Sequence, residues 1–167
     1  AHFPVHPMPI VIGEGAESYG VNSYFSGRTW PKVTIKSISE DGIDDVGAYL
    51  TFMTDEAFRY YLPAYMLMPL IEYSDDNSWI IEKTDWHLIA YEDTHNLHWR
   101  SPDLTINQEK LVCFDKFLPQ QKTDIADYLF HQIHHRGRDL ITGNGLNEDA
   151  SRAFNSYWYQ FASSSLR

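Results

Sequence analysis

Apolar and polar positions alternate along this chain in several distinct periods, and the clearest is helical. Phe58, Tyr61, Leu62, Tyr65, Met66 and Pro69 recur at i, i+3, i+4, i+7, i+8 and i+11, the spacing of one apolar helix face. Thr54 stands where an N-cap belongs, and Asp55 and Glu56 follow in the first turn, where carboxylates complement the positive end of the helix dipole. Pro63 interrupts this helix. It has no N–H for the carbonyl four residues back and its ring crowds that carbonyl, which predicts a kink near Arg59–Leu62 or two short helices. Downstream, Thr105 and Gln108 form a capping-box pattern, and Ile106, Leu111, Val112, Phe114, Phe117 and Leu118 supply an amphipathic helix. Pro119 suits the first turn of a further helix with Ile125, Leu129 and Ile133 as its buried stripe. Gly143-Asn144-Gly145 is a turn signal. Asn147 then caps a last helix whose apolar face is Ala150, Phe154, Tyr157, Trp158 and Phe161.

Elsewhere the period shortens. Val33 and Ile35 alternate with Lys32, Thr34 and Lys36, as in a half-buried strand. Ile10–Ile12, Ala48–Met53, Trp79–Ile81 and His87–Tyr91 are further short apolar pieces that read as strands or packed loops. The fold expected from these patterns is α+β: about four helices packed on a small, mostly antiparallel sheet, as a single domain. Residues 1–20, with Pro4, Pro7 and Pro9 and then Gly13, Gly15 and Gly20, read as an extended arm. Residues 21–136 read as the core, and residues 137–167 as a turn and a helix packed on it.

A run such as Phe58-Arg59-Tyr60-Tyr61-Leu62-Pro63-Ala64-Tyr65-Met66, after the lead-in Leu50-Thr51-Phe52-Met53-Thr54, resembles a bacterial domain family of unknown function. The downstream piece Leu104-Thr105-Ile106-Asn107-Gln108 through Phe117-Leu118 extends the resemblance over roughly residues 25 to 130. Some small acidic members of that family look like immunity proteins of bacterial toxin systems, so the resemblance implies a cognate protein toxin as partner. That link is an association between families and carries no mechanism of its own.

Charge narrows the function classes. Twenty-three acidic and 13 basic residues give a formal net charge of −10, which argues against nucleic acid and against an anionic membrane as partner and favours a basic one. The 11 Tyr, 9 Phe and 5 Trp suit a core and an interaction surface equally. No charged leader with an apolar core opens the sequence and no apolar stretch approaches membrane-spanning length, so a cytoplasmic location is expected.

Candidate chemistry is sparse. There is no phosphate loop, nucleophile elbow or complete metal-ligand set, so no cofactor and no catalytic residue is expected. Cys113, the only cysteine, falls in an apolar helical run and reads as a buried small hydrophobe. His131 and His135 stand four apart on a helix, with His134 beside the second. They offer two imidazoles on one face for a metal-assisted reaction, or simply a helix end whose negative dipole they complement. The pairs Asp44–Asp45, Asp75–Asp76 and Glu92–Asp93 read either as solvated loops or as acidic contacts for a basic toxin, a nuclease being the natural candidate. Trp86 and Trp99, which flank His95 and His98, are candidate aromatic contacts. Arg59, Tyr60 and Tyr61 at the Pro63 break are candidates for a polar pocket. The sequence thus predicts a non-enzymatic immunity protein that binds its toxin. A metal-assisted enzyme and a small-molecule binder are the alternatives, and monomer or dimer is left open.

Overall fold

The computed structural model describes residues 7–40, 49–71, 78–90, 106–135, 146–164 and 166. In order these form α1 (Ala16–Phe25), the 3-10 turn η1 (Trp30–Lys32), α2 (Ile35–Glu40), α3 (Tyr49–Phe52), α4 (Asp55–Ile71) and α5 (Ser78–His87). They continue with α6 (Ile106–Asp115), α7 (Pro119–His135), α8 (Leu146–Ser156) and a second 3-10 turn, η2 (Trp158–Phe161). The expected α+β fold is therefore corrected: the described residues are helical, with no strand and no sheet. The only β-type pairing among them is an isolated antiparallel bridge between Val11 and Met53.

Each misread strand has a local reason. Pro31 opens η1, and the Thr34 and Ser37 side chains then cap each other's main-chain N–H at 3.1 and 3.0 Å, which starts α2 where alternation suggested a strand. Of Ala48–Met53, Ala48 lies outside the described residues, Tyr49–Phe52 form the short α3 and Met53 makes the isolated bridge to Val11. Ile80 and Ile81 look like a strand core, yet Thr84 and Asp85 are buried with them, giving the i, i+1, i+4, i+5 period of a helix face. Polar side chains occupy two of those four positions and mask the period. The Thr84 hydroxyl is accommodated by donating to the Ile80 carbonyl at 2.6 Å, the i−4 back-bond available to a helical threonine. Of the strand expected at His87–Tyr91, His87 closes α5, residues 88–90 follow as an irregular turn, and Tyr91 lies outside the described residues.

The chain divides into two compact units, Ala1–Thr84 and Asp85–Arg167. In the first, α4 is one helix from Asp55 to Ile71 with Pro63 and Pro69 inside it, rather than two short helices. Thr54 caps it as expected, its Oγ1 accepting the Ala57 N–H at 3.2 Å. The same hydroxyl donates to the Pro9 carbonyl at 2.8 Å. Thr54 N–H donates to Ile10 and Ile12 N–H donates to Phe52, so the arm at residues 9–12 is pinned to the start of α4, with Ile10 fully buried. Tyr61, also fully buried, packs at 4.5 Å from Phe25. Its hydroxyl donates to the carbonyl of Arg28 at 2.8 Å and lies 3.1 Å from that of Phe25. Between those two acceptors Gly27 takes a positive φ of 74°, which reverses the chain after α1.

In the second unit α7 packs on α8 and on η2. Trp158 is its centre: fully buried, 4.7 Å from Phe114 and 6.0 Å from Phe117, with Nε1–H donating to the Leu88 carbonyl at 2.8 Å. The last expected helix accordingly ends at Ser156, and Trp158 and Phe161 sit on the turn that follows. Ile125 and Leu129 are buried on α7 as the stripe predicts, and Cys113 is buried on α6, whereas Val112 and Leu118 are exposed.

Thr54→Ala removes both the cap and the tie to the arm. We expect a loss of about 1–2 kcal/mol, the range for N-cap deletions, read as a lowered urea midpoint with unchanged slope.

Candidate functional site

Three places on the described surface offer something beyond packing. The first is the end of the first unit where α1 and α4 both begin. Glu17 lies in the first turn of α1 and Glu56 in that of α4. The arm joins these ends, bonded to residues 52–54 on one side and accepting the Ser18 hydroxyl at the Ile12 carbonyl on the other. Glu14, Glu17 and Glu56 are all exposed, and none has a cation partner among the described residues. Tyr19, also on α1, is 76% exposed.

The second is an apolar groove in the same unit. Trp30, Pro31, Val33 and Thr34 form one wall, and Ala64, Leu67, Met68 and Ile71 the other, enclosing about 270 Å³. The α4 residues fall at i, i+3, i+4 and i+7, a second apolar stripe beside the one that fills the core. Leu67 and Ile71 are exposed, as is Leu70 next to them.

The third is a polar cluster in the second unit. Tyr157 donates to Asp115 Oδ1 at 2.6 Å, and Lys122 Nζ donates to the Tyr157 oxygen at 3.2 Å while standing 3.5 Å from the same carboxylate. The ammonium also sits 4.9 Å over the Phe161 ring. Burial, and then the Asp115 carboxylate that accepts its proton, push the Tyr157 ionisation well above the ordinary tyrosine range. A tyrosine held in its neutral form is a hydrogen-bond donor and not a base. The cluster therefore clamps α6 and α7 to the segment after α8. Asp115 is 70% exposed, so the ion pair is largely screened by water and the buried tyrosine carries most of the tie.

The sequence candidates distribute unevenly over these places. Asp44, Asp45, Asp75, Asp76, Glu92, Asp93 and Trp99, with His95 and His98, lie outside the described residues. Trp86 is 39% exposed, and one face of its ring is covered by the Lys110 ammonium at 4.9 Å. Lys110 also donates to the carbonyls of Trp86 and Ile89 at 3.3 and 3.1 Å, closing the end of α5. Arg59 spends its Nε–H on the Asp55 carbonyl at 3.2 Å. Tyr60 and Tyr61 are buried, and the Tyr61 hydroxyl is committed to main-chain carbonyls, its ionisation raised by burial and by neighbouring Tyr60. None of the three lines the groove. His131 and His134 are exposed on α7, the latter with its ring 4.1 Å from Phe130, and His135 is that helix's last residue. Among the described residues no three His, Cys, Asp or Glu side chains are placed to hold a metal ion.

The groove and the Tyr157 cluster were both missed from sequence. The stripe Ala64, Leu67, Met68, Ile71 was visible but merges with the stronger core stripe of the same helix. Lys122 and Asp115 stand 35 and 42 positions before Tyr157, and no local pattern joins them to it.

A model described as a family of unknown function (DUF6714) matches residues 13–162. No curated protein and no solved structure matches the chain. Among the described residues no helix is long and apolar enough to cross a membrane.

Tyr157→Phe removes one partner from Lys122 and one donor from Asp115, and we expect it to cost about 1–3 kcal/mol, as for other hydrogen bonds to charged groups. Because the folded pKa of Tyr157 lies above that of an unfolded tyrosine, near 10, its contribution is complete below that pH and is lost as pH rises beyond it. Unfolding free energy measured from pH 8 to 11 should fall more steeply for the native chain than for Tyr157→Phe.

Proposed function

We propose that this chain, which belongs to the family of unknown function DUF6714, is an immunity protein that neutralises a cognate basic toxin by direct binding. The observation that carries the reading is uncompensated negative charge. Formal net charge is −10, and Glu14, Glu17, Glu56, Glu82 and Glu148 are exposed with no cation partner among the described residues. Such a surface accelerates encounter with a basic protein and disfavours nucleic acid and anionic lipid. Glu14 and Glu17 stand at the start of α1 and Glu56 at that of α4, the two ends that the arm joins, and α1 also exposes Tyr19, an aromatic of the kind enriched in interfaces. The acidic pairs Asp44–Asp45, Asp75–Asp76 and Glu92–Asp93, with Trp86 and Trp99, would extend the contact. Catalysis by this chain plays no part in the proposal.

Co-expression with the product of the neighbouring gene tests it. A toxin partner should co-elute in size exclusion and its toxicity should be relieved. Neither co-elution nor relief, with a monodisperse folded protein, would sink the reading. If the complex forms, Glu17→Lys combined with Glu56→Lys should slow association about tenfold at low salt, with the difference shrinking as salt is added.

A further inference from the structure

The groove between η1 and α4 is apolar along most of its lining. Its α4 side is entirely carbon apart from the methionine sulfur, and on the other wall only Thr34, with its hydroxyl, and Trp30, with its indole N–H, carry polar groups in their side chains. Water in such a slot finds too few of the two to four polar partners it needs, so its displacement by carbon is favourable. Thr34 Oγ1 accepts the Ser37 N–H at 3.1 Å, which leaves its hydroxyl proton to donate. Lys32 lies between the lining residues Pro31 and Val33, is exposed, and has no ion-pair partner for its ammonium among the described residues. An exposed cation without a counter-charge among the described residues, one position from lining residues on either side, is complementary to an anion that carries its own apolar body.

We propose that this groove binds an amphiphilic monocarboxylate, an aliphatic or aryl acid whose apolar body lies between Trp30 and Met68 and whose carboxylate meets Lys32 and the Thr34 hydroxyl. The volume of about 270 Å³ falls just below the roughly 300–1,000 Å³ usual for ligand pockets, which selects a medium-length acid over a long one. The exposed Leu67 and Ile71 form the outer lip that such a body would cover. This site is separate from the acidic end of the first unit, and the inference does not depend on the toxin-binding reading.

Calorimetric titration of the full chain with octanoate, octanol and octyltrimethylammonium distinguishes the head-group chemistry. Octanoate should bind with one-to-one stoichiometry, octanol about tenfold more weakly because it lacks the charge-assisted hydrogen bond, and the ammonium compound not measurably. Lys32→Ala should bring octanoate down to the affinity of octanol while leaving octanol unchanged. Leu67→Glu, at an exposed position, should abolish both, and Leu67→Met, of similar volume, should retain both and so separate lost binding from lost folding. Equal affinity for octanoate and octanol, an undiminished octanoate affinity in Lys32→Ala, or no saturable binding by the folded chain would each overturn the proposal.

Discussion

A buried aromatic ring whose polar tip reaches a main-chain carbonyl at the end of a distant helix is the constraint on which each unit of this protein is built. Short helices leave many carbonyls without an intrahelical partner, and burying them unpaired would cost about 1–3 kcal/mol each. In the first unit the Tyr61 hydroxyl of α4 reaches the carbonyls of Phe25 and Arg28, where α1 ends and the chain turns. In the second the Trp158 indole donates to Leu88 just past α5. Tyrosine and tryptophan do this because they bring a large apolar body and one donor in a single side chain. The aromatic content thus has a structural use before any functional one. Phe25 and Tyr60 pack against the first of these rings, with Tyr49 behind Phe25, and Phe114, Phe117 and Phe161 pack against the second.

What remains for function is the surface those cores do not use. The two kinds of unspent surface are chemically different. Glu17 and Glu56 at the start of α1 and α4 have a local reason to be there, since they complement helix dipoles, and yet they face water with no cation partner among the described residues. The groove beside η1 has no such local reason. Leu67 and Ile71 on the outer edge of its α4 wall, facing a turn that begins with tryptophan and proline, expose carbon to water at a cost that a bound apolar body would remove. Charge acts at long range and governs encounter, whereas the groove acts only on contact. The two features therefore suit different ligands and need not compete.

The sequence by itself determined the parts whose signals are local. The Thr54 cap, the acidic first turn and the core stripe of α4 all stand where periodicity put them, as do the buried Ile125 and Leu129 of α7 and the buried Cys113. Capping and i, i+4 spacing are satisfied within one helix, so a linear reading suffices for them. It failed where a helix hides polar residues, as α5 does with Thr84 and Asp85, and where a four- to six-residue piece has too few positions to reveal its period, as at Val33–Lys36 and Ala48–Met53. Only the tertiary structure decided that the arm is tied to the α4 cap, that Trp158 anchors its unit from a turn and not from the last helix, and that Tyr157, Lys122 and Asp115 meet. It alone also placed η1 against α4 to open the groove. Each of these joins residues far apart in the chain through packing and long-range hydrogen bonds, and that information is carried by no window of neighbouring residues.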